Sequence, residues 1–538
     1  MRRIFVHGAV TRVNRVTSVG QAPAGRLDDV AHKRRLCCSS SARGRGEIGR
    51  RRRLKIAFPW SAGSSPAVRT ILTALALAGC RPAAEPGTIT VSVIGGSTHV
   101  VDAGRAAPNT SDRLLTATVA QGLVRFDAAG AIEPGLAERW IVTDGGTSYI
   151  FRLSEARWPD GSPVTTTQVV QQLRRQLAPG SRNPLKPFLT AIDEVVAMTP
   201  QVIEVSLDRP RPDLLKLFAQ PELAIQRDGG GTGPLRPAEP GYLRTVPDPS
   251  RVDGDGRPLP DRTPRVRLIG ETAARAIARF AAGRAELVAG GGFADWPLIQ
   301  LADLPPAAVR VDPAAGLFGL SFADRDGFLT DPANRAAVAQ AIDGAAAVQA
   351  VATGWVSDER LLPDRLDSAA APAQPSWAAT PLPERIAAAR QRVAAFGKPV
   401  RLRIALPSGP GATRLWGQIA RALLGIGITP ERVGAAAPAD LRLVDAVAPY
   451  DSARWYLATA CQPCGADAQA KLEAAREAPT LAERAQRLAE ADAALTADVA
   501  FIPLARPWRW SLVAPRLRGW QPNARAAHPL NHLLADPT

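Results

Sequence analysis

Between Gln121 and Leu173 the spacing of apolar residues changes from strand-like to helix-like. Leu123, Val124 and Phe126 form a short apolar run, and Asp127 to Gly130 turn it. Trp140 to Val142 and Tyr149 to Leu153 predict a second strand pair around Asp144-Gly145-Gly146. In that second run Tyr149, Phe151 and Leu153 alternate with Ile150 and Arg152. Arg152 must face water, so one side of this sheet is buried. Asp160-Gly161 predicts the next turn. Thr165, Thr166 or Thr167 then caps a helix whose apolar positions include Val169, Val170 and Leu173.

The same patterning continues downstream. Arg265 to Ile269 alternates as a strand. Thr272 to Ala282 predicts a helix with Ala276, Ile277 and Phe280 inward, and Gly283 to Val288 a turn and a strand. Leu317 to Phe322 is apolar enough to be a buried strand, and a helix from Arg335 to Ile342 follows. Val400 to Leu406, a helix from Thr413 to Leu424, and Asp440 to Leu443 form a second α/β set. Asp228 to Pro234 is a Gly-rich break, and Pro237 to Pro264 reads as irregular connection.

The order of hairpin, turn and capped helix resembles the signature region of solute-binding protein family 5, the peptide- and nickel-type receptors of bacterial ABC importers. Gly122-Leu123, Asp127, Gly130, Pro134, Leu136-Ala137-Glu138, Trp140, Asp144-Gly145, Tyr149, Phe151, Leu153, Trp158, Asp160-Gly161 and Pro163-Val164-Thr165 carry the resemblance. Gly231-Thr232-Gly233-Pro234 resembles a further family motif. The resemblance covers roughly residues 88–538. It departs at Glu286, where the family has Asp, and at Ala323, where it has Asn. These residues are mostly structural, so they identify a fold and not a ligand.

The resemblance implies an α/β fold of the two-lobed periplasmic binding protein type II, a hinged clamp with an extra small subdomain. The implied division is a removed leader at 1–80, lobe I at 81–111, the extra subdomain at 112–220, lobe I again at 221–290, lobe II at 291–499 and a return to lobe I at 500–538. Crossovers are expected near Gly290–Phe293 and near Ala500, with ligand held between the lobes. Gly290-Gly291-Gly292 serves either as a hinge beside the cleft or as a tight turn after a strand.

Charge changes this picture only at first sight. A net charge of +16 points toward nucleic acid or an anionic surface. Residues 1–80 hold sixteen Lys/Arg against Asp28, Asp29 and Glu47, so that segment carries +13 and the rest only +3. Ile71 to Ala78, preceded by Arg69 and followed by Gly79-Cys80, resembles a bacterial lipoprotein signal with its lipobox. Cys80 is then the lipidated residue, and the expected location is the periplasm, anchored to the membrane. Glu47 to Lys55 and Gly63 to Val68 look like a translated transfer-RNA gene, so the true start is expected near Val68.

After Cys80 two cysteines remain, Cys461 and Cys464. A local disulfide fits an oxidising compartment, and redox chemistry at a helix start from Ala466 is the alternative. After Cys80 there are likewise only three of the five histidines, His99, His528 and His532. His528 and His532 are four apart, but Pro522 and Pro529 argue for loop, and no nucleophile elbow or phosphate loop is present. No enzyme, metal or cofactor is expected. The Trp-rich tail of Trp508, Trp510 and Trp520 is expected to pack as core and interface.

Peptide binders of this family hold the peptide amine with an Asp on the second lobe. The corresponding stretch is Ala448 to Tyr456, without the family spacing. Asp451 is therefore a candidate amine anchor, and Tyr450 and Trp455 candidate pocket walls, with a turn Asp and a core Trp as the other reading. Gly291, Phe293 and His99 are further cleft candidates. The expected partners are a peptide or similar small solute and ABC permease subunits, with no nucleic acid and a monomeric receptor. A sensing or chaperone-like binding module, and an exported enzyme, are the other classes.

Overall fold

A computed structural model describes residues 87–246 and 265–534. The basic leader, the lipobox and Cys80 lie outside the described residues. Among the described residues the main sheets have seven, five and four strands.

In the seven-stranded sheet Thr88–Ile94 lies at the centre, parallel to Arg265–Glu271 on one side and to Leu287–Gly292 on the other. Its sequence, Thr-Ile-Thr-Val-Ser-Val-Ile, puts β-branched residues on both faces, as a strand covered from both sides requires. Helix Ala273–Ala281 joins the two flanking strands and buries Ala276 and Ile277. Arg509–Val513 runs antiparallel between Leu287–Gly292 and Val309–Asp312.

At the opposite edge lie Leu235–Glu239 and Tyr242–Thr245. This corrects the expectation of irregular chain from Pro237 onward. Pro237 lacks an N–H for a ladder, but an edge strand has one side on which none is needed.

The five-stranded sheet places Val400–Leu406 parallel to Ile428–Gly434 and to Leu441–Val447, with helix Pro410–Gly425 as the crossover. Gly316–Phe322 pairs antiparallel with Leu441–Val447 and with Phe501–Ala505. Every residue of Gly316–Phe322 is buried, which explains its unbroken apolar reading. The chain passes from the seven- to the five-stranded sheet at 313–315 and returns at 506–508. Both changes come later than the expected sites near Gly290–Phe293 and Ala500. Three glycines look like a breaker in sequence, but here they end a paired strand.

The four-stranded sheet runs Ala137–Thr143, Ser148–Leu153, Val202–Leu207, Ile192–Thr199. Tyr149, Phe151 and Leu153 are buried and Arg152 is exposed. Thr165 caps helix Thr166–Leu177 in a reciprocal capping box with Gln168. Val169, Val170 and Leu173 bury the inner face of that helix, about 1.5–3 kcal/mol each for the aliphatic side chains. The core of this subdomain is continuous with that of helices Ala453–Ala460, Ala466–Glu477 and Leu481–Ala497.

Candidate functional site

Parallel strands leave their carboxyl ends free to form a crevice, and two such ends meet here. Leu287–Gly292 continues into Phe293 and Ala294, and Val400–Leu406 continues toward Gly409 and helix Pro410–Gly425. The Gly411 N–H donates to the Ala294 carbonyl at 2.8 Å. A Cβ at Gly409 would lie 2.8 Å from that same carbonyl oxygen, and one at Gly411 would collide with the Phe293 carbonyl. Glycine at these positions therefore permits the close approach of the two sheets.

Aromatic side chains fill the joint. Phe293 leaves the seven-stranded sheet but packs edge-on against Phe318 of the five-stranded sheet, centroids 4.9 Å apart. Trp296 meets Trp508 edge-on at 5.2 Å, and Trp508 lies 5.6 Å from Trp355. Gly291 pairs in register with Trp510, and a Cβ there would enter the indole ring. Gly291 is a strand residue that makes room for Trp510.

One ion-pair clasp crosses the joint, and a second pins the return segment to the five-stranded side. Arg509 donates to both carboxylate oxygens of Asp445 at 2.8 and 3.0 Å, linking Arg509–Val513 to Leu441–Val447. Arg506, on the return segment, donates to Asp358 at 2.8 Å and to the Arg360 and Leu361 carbonyls.

A second joint lies between the four-stranded subdomain and the helices after Leu441–Val447. Lys216 donates to Asp451 at 2.5 Å, Gln220 to the Pro449 carbonyl at 2.8 Å, Arg211 to the Arg476 carbonyl at 2.8 Å and Arg454 to the Pro187 carbonyl at 3.1 Å. Arg525 also pairs with Asp451. Burial pushes the Asp451 carboxyl up, but hydrogen bonds from Lys216 and Arg525, and their charges, outweigh this and hold it below its ordinary range. Asp213 behaves in the opposite way. Burial, with the nearby Asp367 charge adding to it, pushes its carboxyl up to about 6 against the pull of Lys216 and Arg484.

The structure disperses the residues that the sequence singled out. Asp451 sits in the second joint, neutralised by two cations. Tyr450 and Trp455 are buried in its core; Tyr450 meets Phe188 edge-on at 5.9 Å, and Trp455 meets Tyr456 at 5.0 Å. Burial pushes the Tyr450 phenol up. Phe293 lies at the first joint but within the core, and His99 is exposed beside Asp112. Cys461 and Cys464 form a disulfide between helices Ala453–Ala460 and Ala466–Glu477.

The two spaced histidines go to different carboxylates, His528 to Asp312 at 3.0 Å and His532 to Glu133 at 2.9 Å. No group of three or more His, Cys, Asp or Glu that could hold a metal occurs among the described residues. Of the tail tryptophans, Trp510 is core, Trp508 joins the aromatic cluster and Trp520 stacks on His528 at 4.7 Å. Sequence reading missed Trp296, Asp445 and Arg509. The available signal was position, since each lies in or next to a strand that ends at the joint.

The sequence profile of the bacterial extracellular solute-binding proteins, family 5 Middle, matches residues 131–429. Over 141 residues the chain is 29% identical to the probable deoxycholate-binding periplasmic protein YgiS of Escherichia coli K12, covering 23% of this chain and 26% of that one. The match thus spans about a quarter of that relative's length. The structure of the Escherichia coli murein tripeptide binding protein MppA superposes with a TM-score of 0.69 at 18% identity, covering 83% of this chain and 97% of that one. Haemophilus influenzae OppA in complex with the peptide RPPGFSPFR gives a TM-score of 0.69 at 16% identity, covering 83% and 98%. At such identities the likeness establishes the fold, an α/β architecture shared with two-lobed periplasmic binding proteins.

Proposed function

Because the chain belongs to the bacterial extracellular solute-binding proteins of family 5, we propose that it captures a peptide or similar small solute between two lobes and presents it to the membrane permease of an ABC importer. The lobes in this reading are built on the seven- and five-stranded sheets, and the four-stranded sheet forms the extra subdomain. The observation that carries the reading is the joint itself. The carboxyl ends of parallel strands from two separate sheets face each other, and two short chain segments, 313–315 and 506–508, join those sheets. Such an arrangement can part and close about the two connections, and a solute that touches both sheets stabilises the closed form by its differential affinity.

Binding without chemical change fits the residues at the joint. Asp445, Arg509, Asp358 and Arg506 are engaged in clasps, and among the described residues of the joint no nucleophile is hydrogen-bonded to a base. Export to the periplasm, removal of a leader and lipid attachment at Cys80 belong to the same proposal and rest on the lipobox in the sequence. No helix among the described residues is long and apolar enough to cross a membrane.

The test is native mass spectrometry of protein purified from its host, followed by a thermal-shift screen of di- to pentapeptides. A bound ligand at a hundred times its Kd adds about 2.7 kcal/mol of stability and raises Tm. Co-purified peptide masses and a raised Tm are expected. A screen in which no peptide raises Tm would contradict the peptide reading.

A further inference from the structure

The C-terminal tail reaches from one sheet to the other. Leu517, Leu530 and Leu533 are buried in one apolar cluster with Ile89, Val91 and Val93 of the central strand, so the tail belongs to the seven-stranded sheet. Two of its polar groups converge on Asp312, the last residue of Val309–Asp312. The Asn523 N–H donates to one carboxylate oxygen at 3.0 Å, and His528 Nε2 lies 3.0 Å from the other.

Between Asn523 and His528 the chain turns sharply. The Asn523 side-chain oxygen accepts from the Arg525 and Ala527 N–H groups at 3.1 and 3.2 Å, and its amide donates to the Ala527 carbonyl at 2.8 Å. Ala526 takes a left-handed φ of 48°. A residue other than glycine holds that conformation only where its surroundings fix it. The turn sends Arg525 away from its own sheet. Its buried guanidinium donates to the Ala448 carbonyl at 2.6 Å and pairs with Asp451, both just beyond Leu441–Val447 of the five-stranded sheet.

The crossover at 313–315 lies between these two grips. Asp312 precedes it. At its far end the Ala315 N–H donates to the Ala524 carbonyl at 2.9 Å, and the Ala315 carbonyl accepts from the Ala448 N–H at 2.8 Å. Rotation of the two sheets about this crossover therefore cannot leave the tail's contacts on both sides intact. The grip on the seven-stranded side is an apolar cluster and two bonds to a buried carboxylate. The other is one side chain on a carbonyl and on an exposed carboxylate that Lys216 also holds. Arg525 is the grip that gives way first.

We propose that residues 517–533 form a strap across the crossover at 313–315, with Arg525 as its releasable arm. Seated on Ala448 and Asp451, the arm biases the solute-free protein toward the closed arrangement without fixing it there; released, it lets the lobes part. The inference rests on the two-lobed receptor reading and names the device that sets its closing equilibrium. Apparent affinity then rises with the fraction of molecules already closed.

The test is small-angle scattering of the peptide-free protein, with calorimetric titration of the di- to pentapeptides of the screen. Arg525→Met keeps an aliphatic stem and removes the fork. Its free form is expected to have a larger radius of gyration than wild type, and a peptide that binds wild type is expected to bind it up to about tenfold more weakly, the scale of one charge-assisted hydrogen bond. Arg525→Lys, which keeps the charge but not the fork, is expected to fall between the two. Lys216→Met removes the other cation from Asp451 and is expected to keep the wild-type radius. A merely structural Arg525 would lower Tm and leave radius and affinity unchanged. That result, or a Lys216→Met protein that opens as far as Arg525→Met, overturns the strap and leaves the receptor reading intact. A wild-type protein that binds peptide without compaction overturns both, and where no peptide binds, the radius of the free variants alone decides the strap.

Discussion

The two joints of this molecule are built differently. Between the four-stranded subdomain and the helices that follow Leu441–Val447, one apolar core runs through without a break, and polar groups at its margin are matched across it. Between the seven- and five-stranded sheets there are two narrow connections, glycines that allow backbone to touch backbone, a part-buried ion pair and a local aromatic cluster around Phe293, Trp296 and Trp508. A continuous core resists separation because every Å² exposed costs about 25 cal/mol. A local aromatic cluster, one ion pair across the joint and a few backbone contacts expose less apolar surface on parting than a core of that extent. In the proposed clamp the first joint is the one that opens, and the second stays shut.

The strongest way to break this contrast is to remove an anchor from the continuous core. Trp455 is only 5% exposed there. Trp455→Ala is expected to lose about 3–5 kcal/mol in urea unfolding. A loss below about 1 kcal/mol would mean that the second joint is not a shared core.

At the first joint Asp445→Asn leaves the Arg509 guanidinium partly buried without its carboxylate. The expected loss is about 1–3 kcal/mol. Replacing both partners by apolar residues, Asp445→Leu with Arg509→Met, should recover most of it, because breaking a pair is worse than deleting it. A double variant as unstable as the sum of the singles would deny the coupling.

The smallest effect concerns pH. Asp492, on helix Leu481–Ala497, is buried; burial pushes its carboxyl up to about 6, although the Ala373 N–H donates to it at 2.8 Å. A carboxyl raised in the folded state ionises more easily in the unfolded one. It therefore weakens the fold as pH rises from about 4 through about 6. Asp492→Asn should match the parent near pH 4 and exceed it by about 1–2 kcal/mol at pH 7.5, using about 1.4 kcal/mol per pKa unit as the upper scale. Thermal melts at both pH values check the sign, and a variant less stable at pH 7.5 would reverse it.

Local patterns carried most of the fold. Tyr149, Phe151 and Leu153 announced a one-sided sheet, Thr165 its following helix, and Leu317 to Phe322 a strand covered on both faces. What local pattern could not carry was anything settled by a distant neighbour. Gly290-Gly291-Gly292 reads as a hinge or a tight turn until Trp510, more than two hundred residues on, is placed over Gly291. Asp451 reads as an open anchor until Lys216 and Arg525 arrive from other parts of the chain. Pro237 reads as loop until the strand proves to lie at a sheet edge.

The direct test of the account is small-angle X-ray scattering with and without the di- to pentapeptides of the thermal-shift screen. A two-lobed clamp that parts at the first joint should show a smaller radius of gyration once peptide is bound. Saturating peptide binding with an unchanged radius of gyration would contradict it.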